Sequence, residues 1–318
     1  MRKIGFVVLG LVVLVAFGQA AKLDKANITK NAKFVAHLDL DAFRASTIGA
    51  TIFKKIREDE GQDRIDALAE LVGFDPLNAL HHATMSGNGE DDNGVIVVKH
   101  RMDDNKLLAF MKLDKNYRET KHGKFKIHGV GDREDDERGY ISFVNENSAV
   151  LASSRKLAGK GIDLVNGKGE IKKMPDQLEA MAKKAKHVFF VAHANVQEIS
   201  EIDDENIRQW VNEAGVLFGE SDNKIVLFVN VNALNMEAAE NIENMINGLI
   251  GFAKFSQNEN PDIQTLLRGM NVKRDETNVS IQFSMSVDKM FEMIDPALKQ
   301  IDIDLPIPTK IQKQLLNF

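Results

Sequence analysis

Residues 34–37 read Phe-Val-Ala-His, and the same four letters return at residues 190–193. An isolated coincidence would constrain little, but two further anchors follow. Glu90-Asp91-Asp92-Asn93 precedes an apolar segment, as does Glu220-Ser221-Asp222-Asn223. Asn145-Glu146-Asn147-Ser148 likewise matches Asp275-Glu276-Thr277-Asn278. Both of these pairs are 130 residues apart, against 156 for the opening strand, so residues 90–148 align on 220–278 without a gap. The difference falls between the first and second strands, where an inserted helical excursion is tolerated better than a change within a sheet. The pattern predicts an α+β protein of two tandem related halves, residues 21–170 and 171–318, each a mostly antiparallel sheet with helices packed on one side. Two units are too few for a solenoid, so the halves pair, either side by side or within one shared sheet.

Residues 1–20 stand outside that plan. Arg2 and Lys3 precede a charge-free apolar run, residues 4–17, and Gly18-Gln19-Ala20 puts small residues at a cleavage site. This is the pattern of a secretory signal peptide cut near Ala20, and the run falls short of the roughly 20 residues needed to span a bilayer. Export to the periplasm or the extracellular space is expected, with no stable membrane insertion after cleavage. The chain has no cysteine. Small exported domains rely on disulfides, but a chain of 318 residues can bury enough surface to dispense with them.

Without Arg2 and Lys3 the 41 basic side chains become 39, against 47 acidic, a net charge of −8. An acidic chain with two Tyr and one Trp lacks the basic stripes and stacking platforms of a nucleic-acid binder. Phenylalanine, with 18 copies, has no polar handle and belongs mainly in cores.

Alternation predicts a strand over residues 33–40, with Phe34, Ala36 and Leu38 on the face that packs under helices and His37 and Asp39 on the other. A helix over 42–58, capped by Asp39 or Asp41, and another over 62–72 follow. Strands are expected at 80–86, 94–101, 117–120, 124–130, 140–144 and 149–153, with helices at 104–113 and 155–165. Gly159, Gly161, Gly167 and Gly169 suggest a flexible linker. The second half should contain a helix at 175–186, strands at 187–196, 214–218, 224–232, 270–273 and 279–286, and helices at 204–212, 236–255 and 287–294. In helix 236–255, Met245, Leu249 and Phe252 sit at helical spacing and are expected in the core.

The segments Leu38-Asp39-Leu40-Asp41-Ala42-Phe43-Arg44-Ala45-Ser46 and Gly73-Phe74-Asp75-Pro76, followed by a strand, a hairpin and a helix running into Tyr117-Arg118-Glu119, resemble a set of exported bacterial proteins of unknown function. The resemblance covers roughly residues 34–165 and departs from the pattern at Lys121-His122-Gly123. It implies export and this fold, and it assigns no catalytic residue.

Chemistry-bearing patterns are sparse. His37 and His193 end the repeated four letters, with Asp39 and Asn195 two residues on. These four are the candidate binding residues, and the two histidines would meet if the halves faced each other across a pseudo-twofold axis. Their structural roles would be sheet histidines bonded to neighbouring strands, and helix caps; Asn195-x-x-Glu198 has capping-box spacing. A zinc site would have to collect His37, His82 and His100 with Asp39. No metal-ligand spacing demands it and no HExxH or paired-Cys motif is present, so neither metal nor cofactor is expected. Gly161 to Gly169 does not match a phosphate loop, and the acidic loops at 90–92 and 132–137 lack EF-hand spacing. Catalytic residues are therefore not assigned. The expectation is a non-catalytic envelope or secreted protein that binds or scaffolds an unidentified protein or small ligand in the groove between the halves. The alternatives are a hydrolase using His and carboxylate chemistry there, and a carrier of a lipid or hydrophobic peptide.

Overall fold

A computed structural model describes residues 23, 27–58, 61–75, 77–90, 93–131, 139–168, 180–181, 183–200, 202, 205–256 and 261–298. The leader, the acidic loop at 132–137, most of the helix expected at 175–186 and the C-terminal tail lie outside these residues.

The first half contributes strands β1 (Phe34–Asp39), β2 (Leu80–Gly87), β3 (Gly94–His100), β4 (Arg118–His122), β5 (Phe125–Val130), β6 (Gly139–Asn145) and β7 (Ser148–Ala152). The second contributes β8 (His187–Asn195), β9 (Val211–Ser221), β10 (Lys224–Ala233), β11 (Met270–Asp275) and β12 (Asn278–Ser286). All twelve form one antiparallel sheet, in the order β11-β12-β10-β9-β8-β1-β2-β3-β7-β6-β5-β4. The halves therefore share a sheet, joined where β1 pairs with β8.

That junction is self-equivalent. Ala36 lies opposite Ala192, its counterpart in the repeat, and Phe34 opposite Ala194 mirrors Leu38 opposite Phe190. A pseudo-twofold axis runs through the Ala36/Ala192 pair, normal to the sheet. Outward from it the two sides match strand for strand through β2/β9, β3/β10, β7/β12 and β6/β11.

Beyond that point they diverge. The β4–β5 hairpin adds two strands past β6, whereas residues 248–260, its positions in the gap-free alignment, include the end of a long helix. Where the first half forms a hairpin, the second continues its long helix through Ser256.

The helices are α1 (Leu40–Arg44), α2 (Thr47–Glu58), α3 (Gly61–Val72), α4 (Asp104–Met111), α5 (Arg155–Val165), α6 (Glu205–Trp210), α7 (Met236–Ser256), α8 (Pro261–Arg268) and α9 (Val287–Leu298). The single helix expected over 42–58 is two. Ser46 breaks it: its hydroxyl donates to Phe43 O (2.8 Å) and accepts from Gly49 N (3.1 Å). The corner is so tight that a Cβ on Gly49 would lie 1.8 Å from Phe43 O.

Phe43, Ile48, Phe189, Ile225 and Val287 form a core on the face carrying α1, α2 and α9. The opposite face holds α5 against Val95, Val97 and Val150, and Ile28, Ala32 and Met181 against Val35 and Val191. Because both faces are covered, the central strand does not divide into an inside and an outside. Val35, His37 and Asp39 are the buried set, and Phe34, Ala36 and Leu38 are half-buried, the reverse of the sequence expectation.

Gly159 and Gly161 are not linker. They lie buried in α5, where a Cβ on Gly161 would come 2.4 Å from Val150 and 2.7 Å from Val95. Glycine lets this helix sit close on the sheet. Gly161→Val should cost about 1–3 kcal/mol through overpacking, read as a lower urea midpoint, whereas Gly139→Ala, where a Cβ would meet nothing within 4 Å, should leave the midpoint nearly unchanged.

Candidate functional site

The four residues singled out in the sequence lie around the pseudo-twofold axis. His37 pairs with Val191 and Val35 with His193, so the two histidines are diagonal neighbours on one face, about 7–8 Å apart. Both are buried, 3% and 5% exposed. His37 Nδ1 bonds Thr84 Oγ1 on β2 (2.9 Å), and its ring lies 5.4 Å from that of His82. His193 Nε2 is 3.4 Å from Glu213 Oε2 on β9. Each histidine thus finds its partner on the next strand outward, in mirrored fashion.

Asp39 Oδ1 accepts from Ala42 N (2.8 Å) and caps α1. Asn195, its counterpart, makes no such cap. Its Nδ2 donates to Glu198 Oε1 (2.8 Å) beside a short 3₁₀ turn, Val196–Glu198. Among the described residues no group of three or more His, Asp or Glu is placed to hold a metal ion.

His100, which a zinc site would have had to bring beside His37 and His82, has different neighbours. It packs against Phe143 and stands 3.7 Å from Asp104. Burial, then repulsion from His81, lowers its pKa to about 4. Burial, then repulsion from Asp103, raises that of Asp104 to about 6, and Asp104 Oδ1 has no hydrogen-bond partner among the described residues.

A raised carboxylate pKa means that the folded state holds the proton more tightly than the unfolded chain. The native state therefore bears a charge-burial cost that is full above pH 6 and vanishes below about pH 4. The shift corresponds to about 3 kcal/mol. Partial exposure and a favourable position in the first turn of α4 reduce the expected gain of Asp104→Asn to about 1–2 kcal/mol at pH 7. Urea unfolding at pH 7 and pH 4.5 should show that gain shrinking at the lower pH.

The largest departure from expectation lies in α7. Asn235 caps it, its Oδ1 accepting from Ala238 N at 2.8 Å. Its first half docks Ala238, Ala239 and Ile242 against Ala233 and Val279. Its second half does not bury the stripe that reads as core. Met245 is 48% exposed, Leu249 62%, Phe252 69% and Phe255 82%. A Cβ on Gly248 or Gly251 would meet nothing within 4 Å, so no described residue packs over those two positions. Lys254 is the only charged side chain in residues 244–256. Six of the ten large apolar side chains left exposed among the described residues fall within 234–255. Large contiguous apolar patches on folded proteins mark interaction sites. No helix among the described residues is long and apolar enough to cross a membrane.

Helical spacing alone could not expose this face, because a stripe at i, i+4 and i+7 looks the same whether it meets a core or solvent. The available signal was the run of residues 244–256 with a single charge and two glycines.

No known protein family and no curated protein matches the sequence. Crystal forms of one protein, TP0453, are similar in structure. Form III matches with a TM-score of 0.50 at 8% identity over 87% of this chain and 99% of that one. Form I gives 0.49 at 8% identity over 87% and 98%. At this identity the likeness to form III is one of fold alone: an antiparallel sheet flanked by helices, spanning nearly the whole of that protein.

Proposed function

We propose that this is an exported, non-catalytic protein that binds an apolar partner, a lipid or a hydrophobic peptide, through the second half of α7. The observation that carries the reading is the exposed stripe of Met245, Leu249, Phe252 and Phe255. Burying a Leu or Phe side chain contributes about 1.5–3 kcal/mol, so four such residues on one helix face supply enough for micromolar association after ordering costs. The binding surface is then the outer end of the second half and not the groove at the junction of the halves, which is occupied by paired strands.

The leader pattern of residues 1–20 and the resemblance of residues 34–165 to exported proteins support the location. Titration of the mature protein with a fluorescent fatty acid, with phosphatidylcholine vesicles and with an amphipathic apolar peptide tests the reading. Saturable binding to at least one of them is expected; failure to bind all three at micromolar protein would overturn it.

A further inference from the structure

At the opposite edge of the sheet, eleven strand spacings from β11, α5 begins beside β4. Between them lies an open cavity of about 540 Å³, lined by Thr120, Lys121, His122, Ile127, Tyr140, Ser154, Arg155 and Lys156. Lys121, Arg155 and Lys156, all three exposed, are among the lining residues, and no carboxylate of the described residues is. In a chain with six more acidic than basic side chains, that segregation is unusual, and none of the three cations is held in an ion pair among the described residues. The nearest acid that α5 could offer, Asp163, is engaged by His122 Nε2 at 2.9 Å. That contact also fixes one wall, since Gly159 leaves room for the His122 ring, which a Cβ would approach to 2.9 Å. Ile127 forms an apolar floor, 2% exposed. The hydroxyls of Thr120 and Tyr140 add donors.

We infer that this cavity binds a phosphate group, borne by a small phosphomonoester or by a lipid headgroup. The Arg155 guanidinium offers a planar fork to two phosphate oxygens, while Lys156, and Lys121 from the edge strand, add point charges. A phosphomonoester carries close to two negative charges at neutral pH, which three cations can match. The volume admits a phosphate with a small organic substituent. This site is independent of the apolar face of α7 and does not rest on the function proposed for it.

Calorimetric titration with inorganic phosphate and glycerol phosphate, alongside sedimentation with phosphatidylcholine vesicles with and without phosphatidic acid, tests the site. Each is repeated with Lys121→Ala/Lys156→Ala and with Lys224→Ala, an exposed lysine on the far half. Binding of a free phosphate, or added binding caused by phosphatidic acid, should weaken about tenfold or more in the double variant and stay unchanged in Lys224→Ala. The first outcome identifies a soluble ligand and the second a headgroup. No binding in either arm at millimolar phosphate, or equal weakening in both variants, overturns the inference.

Discussion

Glu220→Ala should lower the unfolding free energy by about 3 kcal/mol. Glu220 lies at the end of β9, 4% exposed, and its carboxylate reaches across to the other half of the chain. Oε1 accepts from Thr47 N and Oε2 from Ile48 N, each at 3.0 Å. These are two of the amides that the start of α2 cannot satisfy within the helix, and a negative charge there also meets the favourable end of the helix dipole. Hydrogen bonds to charged groups contribute about 1.5–3 kcal/mol each, and a buried donor left unpaired carries its full desolvation cost. Glu220→Gln keeps one acceptor and turns an N–H toward the other amide, so about half the loss is expected. Urea denaturation checks both. A shift below about 0.5 kcal/mol for Glu220→Ala would mean that water replaces the carboxylate, and that the tie between halves is incidental.

Leu249→Asp with Phe252→Asp should reduce apolar-ligand binding by about 100-fold or more while leaving stability within about 0.5 kcal/mol. The two effects separate because these side chains are mostly exposed in the free protein. Exposed positions make few native contacts, so substitution there changes folding little. In a complex the same positions would be buried. Two lost apolar side chains forfeit about 3–6 kcal/mol of burial, and each carboxylate must be desolvated as well. Ala238→Asp provides the contrast: Ala238 is 4% exposed against the sheet, so that change should destabilise the fold.

Much of the architecture was legible because the repeat preserved letters where geometry is strict. The Phe-Val-Ala-His strands became the symmetric centre, and the strands that flank the matched segments 90–93 and 220–223 hold equivalent places in the sheet. What could not be read was conformation behind equal length. Residues 118–130 and 248–260 align without a gap, yet the first set contains the β4–β5 hairpin and the second the end of α7. Only tertiary pairing distinguishes them, since β4 gains a neighbour in β5.

Gly159 and Gly161 looked like linker because glycine is ambiguous between flexibility and close packing, and the Val95/Val150 surface that decides the matter is distant in sequence. At the junction, Asp39 kept the capping role its position suggested. Asn195 did not, because the second half follows its strand with a 3₁₀ turn and not a helix. The exposed face of α7 was the hardest to foresee, since its periodicity is that of any core helix and exposure leaves no mark in spacing.

The absence of cysteine makes the decisive measurement simple. A single Leu249→Cys variant carrying an environment-sensitive fluorophore, with Lys224→Cys labelled in the same way as a control, is titrated with the fatty acid, vesicles and peptide. If α7 is the binding face, the label at 249 shifts to the blue and saturates with whichever apolar ligand binds, while the label at 224 is unchanged. Binding that leaves the 249 label in water would contradict the account and place the ligand elsewhere on the molecule.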